Sequence, residues 1–218
     1  MKIAVLGATG QTGQYLVDQA LQQGHTVTAV VRNPSKLTVH HENLKVVEAD
    51  IFSAESLEPH FTGQDAIMSC LGFPIAAFSA VTGYTLSMSA MIGAMRATRV
   101  HRIITMTSWY TEPNSGTQSS YFIRFLLLPM IRSVLTNMFE MEQFLQKTED
   151  INWTVVRPPG LKNLPASGKF LSHEGYFVPD GSGYPVGSAI GRGDVARFML
   201  SLLNSDAWVK KGVAIITK

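Results

Sequence analysis

The chain has 218 residues, of which 45% are hydrophobic and 16% charged, with a formal net charge of +2. That is the composition of a packed domain, and it excludes a disordered chain. So small a charge excess, with a pI near 8.7, gives no electrostatic basis for nucleic-acid binding.

In chain order, "KIAVLG" is a continuous apolar run stopped by glycine, which predicts a strand buried on both faces. "QTGQYLVDQALQQG" follows with helical spacing and a glycine stop. "HTVTAVVR", "LKVVEAD", "DAIMSCLG", "HRIITMTS", "INWTVVRPP" and "GVAIITK" predict further strands, seven in all. Helical stretches fall between them: "SAESLEPHF", "TLSMSAMIGAMRATRV", "RSVLTNMFEMEQFLQKTE" and "GRGDVARFMLSLLNS". Steady alternation of strand and helix predicts an α/β fold. It is a Rossmann-like, doubly wound parallel sheet in a single domain, with helices on both faces. Residues from about 158 to 190 are loop-rich and are expected to form a small lobe on the substrate side.

Cys70 is the single cysteine, and its apolar neighbours predict a buried thiol and a reducing, cytoplasmic setting. The opening "MKIAVLGATG" does not read as a signal peptide, because glycines break the apolar run. The very apolar segment 121–139 is interrupted by Arg124, Pro129 and Arg132. It is therefore expected to form two helical pieces over a core or a site, and not a membrane span. No pair of His or Cys residues has metal-ligand spacing, so no metal is expected.

The motif "GATGQTG" joins the first strand to the first helix, which is where a dinucleotide diphosphate binds. Gly7 suits the tight turn, Gly10 lets a diphosphate approach the backbone, and Gly13 lets the helix pack against the strand. Free N–H groups at the helix start favour an anion, and Thr9, Gln11 and Thr12 can add hydrogen bonds. The second strand ends in Arg32 ("VVRNPSK"), where an NAD-preferring fold places a carboxylate for the ribose hydroxyls. A guanidinium there can hold a 2′-phosphate, with Ser35 and Lys36 near enough to assist, so NADPH is the expected cofactor. Asp50 ends the third strand and either accepts from the adenine amino group, flanked by Ile51, or caps the next helix. Leu71 and Gly72 end the fourth strand, where the cofactor can lie on the backbone.

The strings "KIAVLGATGQTG", "VVRNPSKL", "VVEADIF", "TSWY", "WTVVRPPGL" and "GRGDVARFMLSLL" resemble the atypical short-chain dehydrogenases/reductases of the NAD(P)-binding, NmrA-like group. The biliverdin-IXβ reductase and NADPH-flavin reductase branch is the most similar, over nearly the whole chain. The resemblance implies a Rossmann domain that reduces flavins, certain bilins or quinone-like acceptors with NADPH. It implies that Gly7, Thr9, Gly10, Gln11, Thr12 and Gly13 hold the pyrophosphate, Arg32 the 2′-phosphate, and Asp50 with Ile51 the adenine. Gly72 would lie along the cofactor. Ser108 would sit beside the nicotinamide and substrate as the catalytic serine, and Pro158 and Pro159 would wall the nicotinamide pocket. Two departures stand out: Gly160 occupies a position where the bilin reductases carry histidine, and the loop after the fifth strand is long and apolar.

Ordinary short-chain dehydrogenases protonate a carbonyl with a Tyr and a Lys four residues apart on one helix face. None of the six tyrosines has a lysine at that spacing. The expected chemistry is therefore hydride transfer to a planar conjugated acceptor whose proton comes from water. Trp109 and Tyr110 could stack on such an acceptor, and Arg124 or Arg132 could meet a flavin phosphate or bilin propionate. Glu140 and Glu142 fall on different helix faces, and Glu142 reads as lying on a solvated face, with a position facing the site as the alternative. Two other readings remain open: an NADP(H)-sensing regulator without turnover, and an oxidoreductase of a specialised small metabolite. A small-molecule acceptor is the expected partner, with the protein a monomer or homodimer.

Overall fold

The apolar runs become the central strands of one sheet. The computed structural model describes residues 1–75 and 79–218. Its elements are β1 (Lys2–Leu6), α1 (Gln11–Gln22), β2 (Thr26–Val31), β3 (Leu44–Glu48), α2 (Ala54–Phe61), β4 (Ala66–Ser69), α3 (Gly83–Thr98) and β5 (Arg102–Met106). They continue with α4 (Leu128–Met130), α5 (Arg132–Gln146), β6 (Asn152–Arg157), β7 (Gly160–Lys162), β8 (Phe170–Glu174), β9 (Ala189–Gly191), α6 (Arg192–Ser201) and β10 (Lys211–Thr217). The main sheet has eight strands in the order β3-β2-β1-β4-β5-β6-β10-β8. Seven run parallel, and β8 pairs antiparallel with β10.

Alternate residues of each strand feed two cores. Ile3 and Val5 of β1 pack with α1 and α6 on one face, while Ala4 and Leu6 pack with α2, α3 and α5 on the other. Burial on both faces is why these strands read as unbroken apolar runs. The strand order reverses between β1 and β4, so their carboxyl ends diverge and leave a crevice.

Two differences from the sequence reading have physical causes. β8 extends the main sheet, so the stretch from 158 to 190 is partly sheet edge. Its residues are half-buried or exposed, and an edge strand lacks the apolar run that marks a central one. Segment 121–139 forms the two helical pieces expected of it, broken at Ile131, and the first contains a π-helical turn at Ile123–Leu127. Pro129 in the following α4 cannot donate to the carbonyl four residues back, which disfavours a regular α-turn there. Glu142, expected in solvent, is 1% exposed within the second core layer. Among the described residues, no helix is long and apolar enough to cross a membrane.

Candidate active site

The turn after β1 is set by two glycines. Gly7 has φ +77°, and a Cβ there would lie 2.7 Å from the Cys70 carbonyl. A Cβ on Gly13 would lie 2.0 Å from the Gly7 oxygen, so only glycine lets α1 sit this close to the strand. Helix α1 begins at Gly10 with no side-chain cap and no acidic residue in its first turn. Its leading N–H groups and the positive end of its dipole remain available to an anion.

A cleft of about 150 Å³ gathers Gly7, Thr9, Gly10, Val30, Val31, Arg32, Ile51, Cys70, Leu71 and Gly72. The ends of β1, β2 and β4 thus converge with half of the residues expected to hold a cofactor. Arg32 is exposed and has no hydrogen-bond or ion-pair partner among the described residues. A Cβ on Gly72 would meet nothing within 4 Å, so the backbone there opens to the cleft. The donor set of an uncapped helix, a free guanidinium and bare backbone fits a dinucleotide phosphate chain.

Other expected residues stand apart. Thr12 is buried at the start of α1, and Gln11 faces a separate hollow with Gln14, Tyr15, Asp18 and Asn163. Ser35 is engaged with Asn33, its hydroxyl donating to Oδ1 at 2.6 Å. Asp50 does not cap α2, since Ser53 does so by accepting from the Ser56 N–H. Instead Asp50 Oδ1 accepts from the Phe52 N–H at 2.9 Å in a tight turn, beside the cleft wall formed by Ile51.

A larger pocket of about 940 Å³ opens beyond β5 and β6. Ser108, Trp109 and Tyr110 form one wall with Pro159 and Gly160, and residues 118–123, Leu127, Leu128 and Ile131 form another. The hydroxyl of Ser108 has no protein partner among the described residues. Pro158 lies behind the wall, its carbonyl accepting from the Trp109 N–H at 2.9 Å. The Trp109 ring is 2% exposed and packs against Val178, Ala214 and Ile216, so it backs the pocket and offers no open stacking face. Tyr110 is half-buried in left-handed backbone, φ 63°, an uncommon state for a non-glycine residue. Burial pushes its hydroxyl up to about 12.

Arg124 is absent from this pocket. It lines a neighbouring cavity of about 240 Å³ with Arg132. Its Nη1 donates to the Thr117 carbonyl at 3.3 Å, and its guanidinium lies 5.2 Å from the Phe125 ring centre.

Beneath the Ser108 loop lies an ion pair that the sequence reading missed. Arg157 donates from Nε to Glu142 Oε1 at 3.1 Å and from Nη2 to Oε2 at 2.8 Å, and both side chains are almost fully buried. Thr107 donates to the same carboxylate at 2.7 Å, and Thr111 at 3.1 Å. The remaining guanidinium nitrogen, Nη1, donates to the Gly175 carbonyl at 2.8 Å, and the Tyr176 ring lies 4.1 Å away. This network clamps both ends of the 107–111 loop onto α5 and β6. A signal existed: Glu142 shares the stripe of Leu135, Met138 and Leu145, and Arg157 ends an apolar strand. Asp194 does similar work at α6, accepting from the N–H groups of Ser167 and Gly168 at 2.8 and 2.9 Å.

Comparison with known proteins agrees with this geometry. An uncharacterized chloroplastic protein of Arabidopsis thaliana is 28% identical over 191 residues, covering 83% of this chain and 66% of that protein. The chain spans under two thirds of the length of that relative, and 32% of a Bacillus subtilis one. Among solved structures, the oxidoreductase ylbE from Lactococcus lactis superposes with TM-score 0.83 at 19% identity, covering 100% of this chain and 91% of that one. ChuY, an anaerobillin reductase from Escherichia coli O157:H7, superposes with TM-score 0.79 at 19% identity, covering 100% and 97%. At that identity the two likenesses establish the fold. A family model described as NAD(P)H-binding matches residues 7–206. The chain belongs to this NAD(P)H-binding family.

Proposed function

We propose that the protein is an NADPH-dependent reductase that passes hydride to a planar conjugated acceptor. The observation that carries this reading is the junction of two sites at one edge of the sheet. Ser69 and Thr105 are paired neighbours on β4 and β5. Three residues beyond each stand Gly72, in the phosphate cleft, and Ser108, in the large pocket. A cofactor laid along the cleft from Arg32 would therefore bring its nicotinamide toward Ser108, at the carboxyl ends of the strands.

When bound, the nicotinamide supplies a hydride, so NADPH, a proton from water and the acceptor give NADP⁺ and the dihydro product. The chain's own residues bind and position. Gly7, Thr9 and Gly10 with the α1 N-terminus cradle the diphosphate, and Arg32 grips the 2′-phosphate by two N–H groups. Pro159, backed by Pro158, walls the nicotinamide, and the Ser108 hydroxyl donates to the acceptor. Tyr110 stays protonated at neutral pH, since burial raises its hydroxyl to about 12, so it serves as wall rather than base. The pocket holds the reactants together, which can lower a barrier by about 7–11 kcal/mol. That a fold neighbour is an anaerobillin reductase supports a conjugated acceptor as the class.

Following NADPH absorbance in the presence of riboflavin, FMN, biliverdin or a naphthoquinone tests the reading. Turnover with at least one acceptor supports it. Tight NADPH binding without turnover across the set would replace it with the NADP(H)-sensing role.

A further inference from the structure

Every residue lining the large pocket is uncharged. Its walls hold no Asp, Glu, Lys, Arg or His among the described residues. Its polar side-chain groups are hydroxyls, one amide and one indole N–H, from Ser108, Tyr110, Gln118, Trp109 and three further serines and two tyrosines. The cations nearest in sequence are turned elsewhere. Arg124 and Arg132 line the adjoining smaller cavity, and Arg124 is held to the Thr117 carbonyl. Arg157 is consumed by Glu142 and the Gly175 carbonyl. The mouth is apolar too: Tyr121 and Phe122 line the pocket and are 83% and 64% exposed. From Pro113 to Phe139 the chain contains no carboxylate.

A phosphate, carboxylate or sulfonate carried into such a cavity would lose its water and gain no cation in return. We infer that the acceptor enters this pocket as an uncharged, planar, apolar molecule of the naphthoquinone kind, and that ring-borne anions are rejected. This rests on the reductase reading and narrows it, since bilins carry propionates on their rings. The volume of about 940 Å³ lies near the top of the about 300–1,000 Å³ found for small-molecule sites, so it accepts a fused ring with an apolar appendage. The reaction balances as before: the quinone takes one hydride from NADPH and one proton from water and leaves as the hydroquinone.

The test pairs 1,4-naphthoquinone with its 2-sulfonate. The sulfonate sits on the ring, so it cannot be left outside the pocket. It also makes the ring the better electron acceptor, so rejection would run against intrinsic reactivity. Two readouts are taken on the full-length protein: kcat/KM with NADPH, and the Kd of each quinone for the NADP⁺-loaded protein by tryptophan quenching. The inference expects at least a tenfold preference for the uncharged member in both, and a quinone KM that shifts less than twofold between 25 and 500 mM salt. It further expects that Ile123→Lys, which places a cation in the wall, narrows or reverses the preference. Equal or tighter binding of the sulfonate to the unaltered protein overturns the inference, whether or not the variant folds. Turnover of both quinones with no preference leaves the reductase reading standing and removes the charge selection. Selective binding of the uncharged quinone without any turnover does the opposite.

Discussion

Removing the carboxylate of Glu142 is the most informative change outside the pocket. In Glu142→Ala, Arg157 keeps only the Gly175 carbonyl and the Tyr176 ring, and the Thr107 and Thr111 hydroxyls lose their acceptor. A buried charge left without its partner costs about 3–5 kcal/mol. For a domain of this length that corresponds to a fall of roughly 6–20 °C in Tm. Urea unfolding of Glu142→Ala, Arg157→Met and the double variant Glu142→Leu/Arg157→Met measures the coupling. The double variant should recover much of the loss, because replacing both members of a buried pair by apolar groups is often close to neutral. Reductase turnover should fall even at temperatures where Glu142→Ala remains folded, because the 107–111 loop carries Ser108. A loss under about 1 kcal/mol for Glu142→Ala would refute the claim that this pair clamps the loop.

Three further outcomes are expected. Gly13→Ala forces a Cβ to within 2.0 Å of the Gly7 oxygen, so it should cost about 1–3 kcal/mol and weaken cofactor binding in a titration; unchanged stability would contradict the tight turn. Burial pushes the Cys70 thiol up to about 12, so a disulfide reagent at pH 8 should label no thiol in the native protein and one after unfolding. Tyr110→Phe should retain activity, with a pH profile unchanged through neutrality, because the hydroxyl ionises only near 12. A loss of about a hundredfold would instead mark Tyr110 as a proton donor.

The sheet was legible because strands buried on both faces leave unbroken apolar runs, and because glycines bracket the first helix. The cleft was legible for a related reason: its lining is backbone at strand ends, which the motif spacing locates directly. β8 was not, since an edge strand carries no such run. Arg124 was expected to meet the acceptor, yet it lines the neighbouring cavity, a matter of tertiary packing that the sequence does not state. Glu142 and Arg157 stand 15 residues apart, and their meeting depends on how α5 lies on β6, which no local pattern states. Each nevertheless left a trace, a charge standing at an otherwise apolar position.

The central claim is that a dinucleotide lies across the cleft with its diphosphate at the start of α1 and its 2′-phosphate on Arg32. Isothermal calorimetry with NADPH and NADH, on the unaltered protein and on Arg32→Ala, tests it most directly. The account predicts saturable binding of both, with NADPH tighter by about ten- to a hundredfold, the worth of charge-assisted hydrogen bonds, and that margin lost in the variant. Absence of heat with either nucleotide, or a margin unchanged by Arg32→Ala, would contradict it.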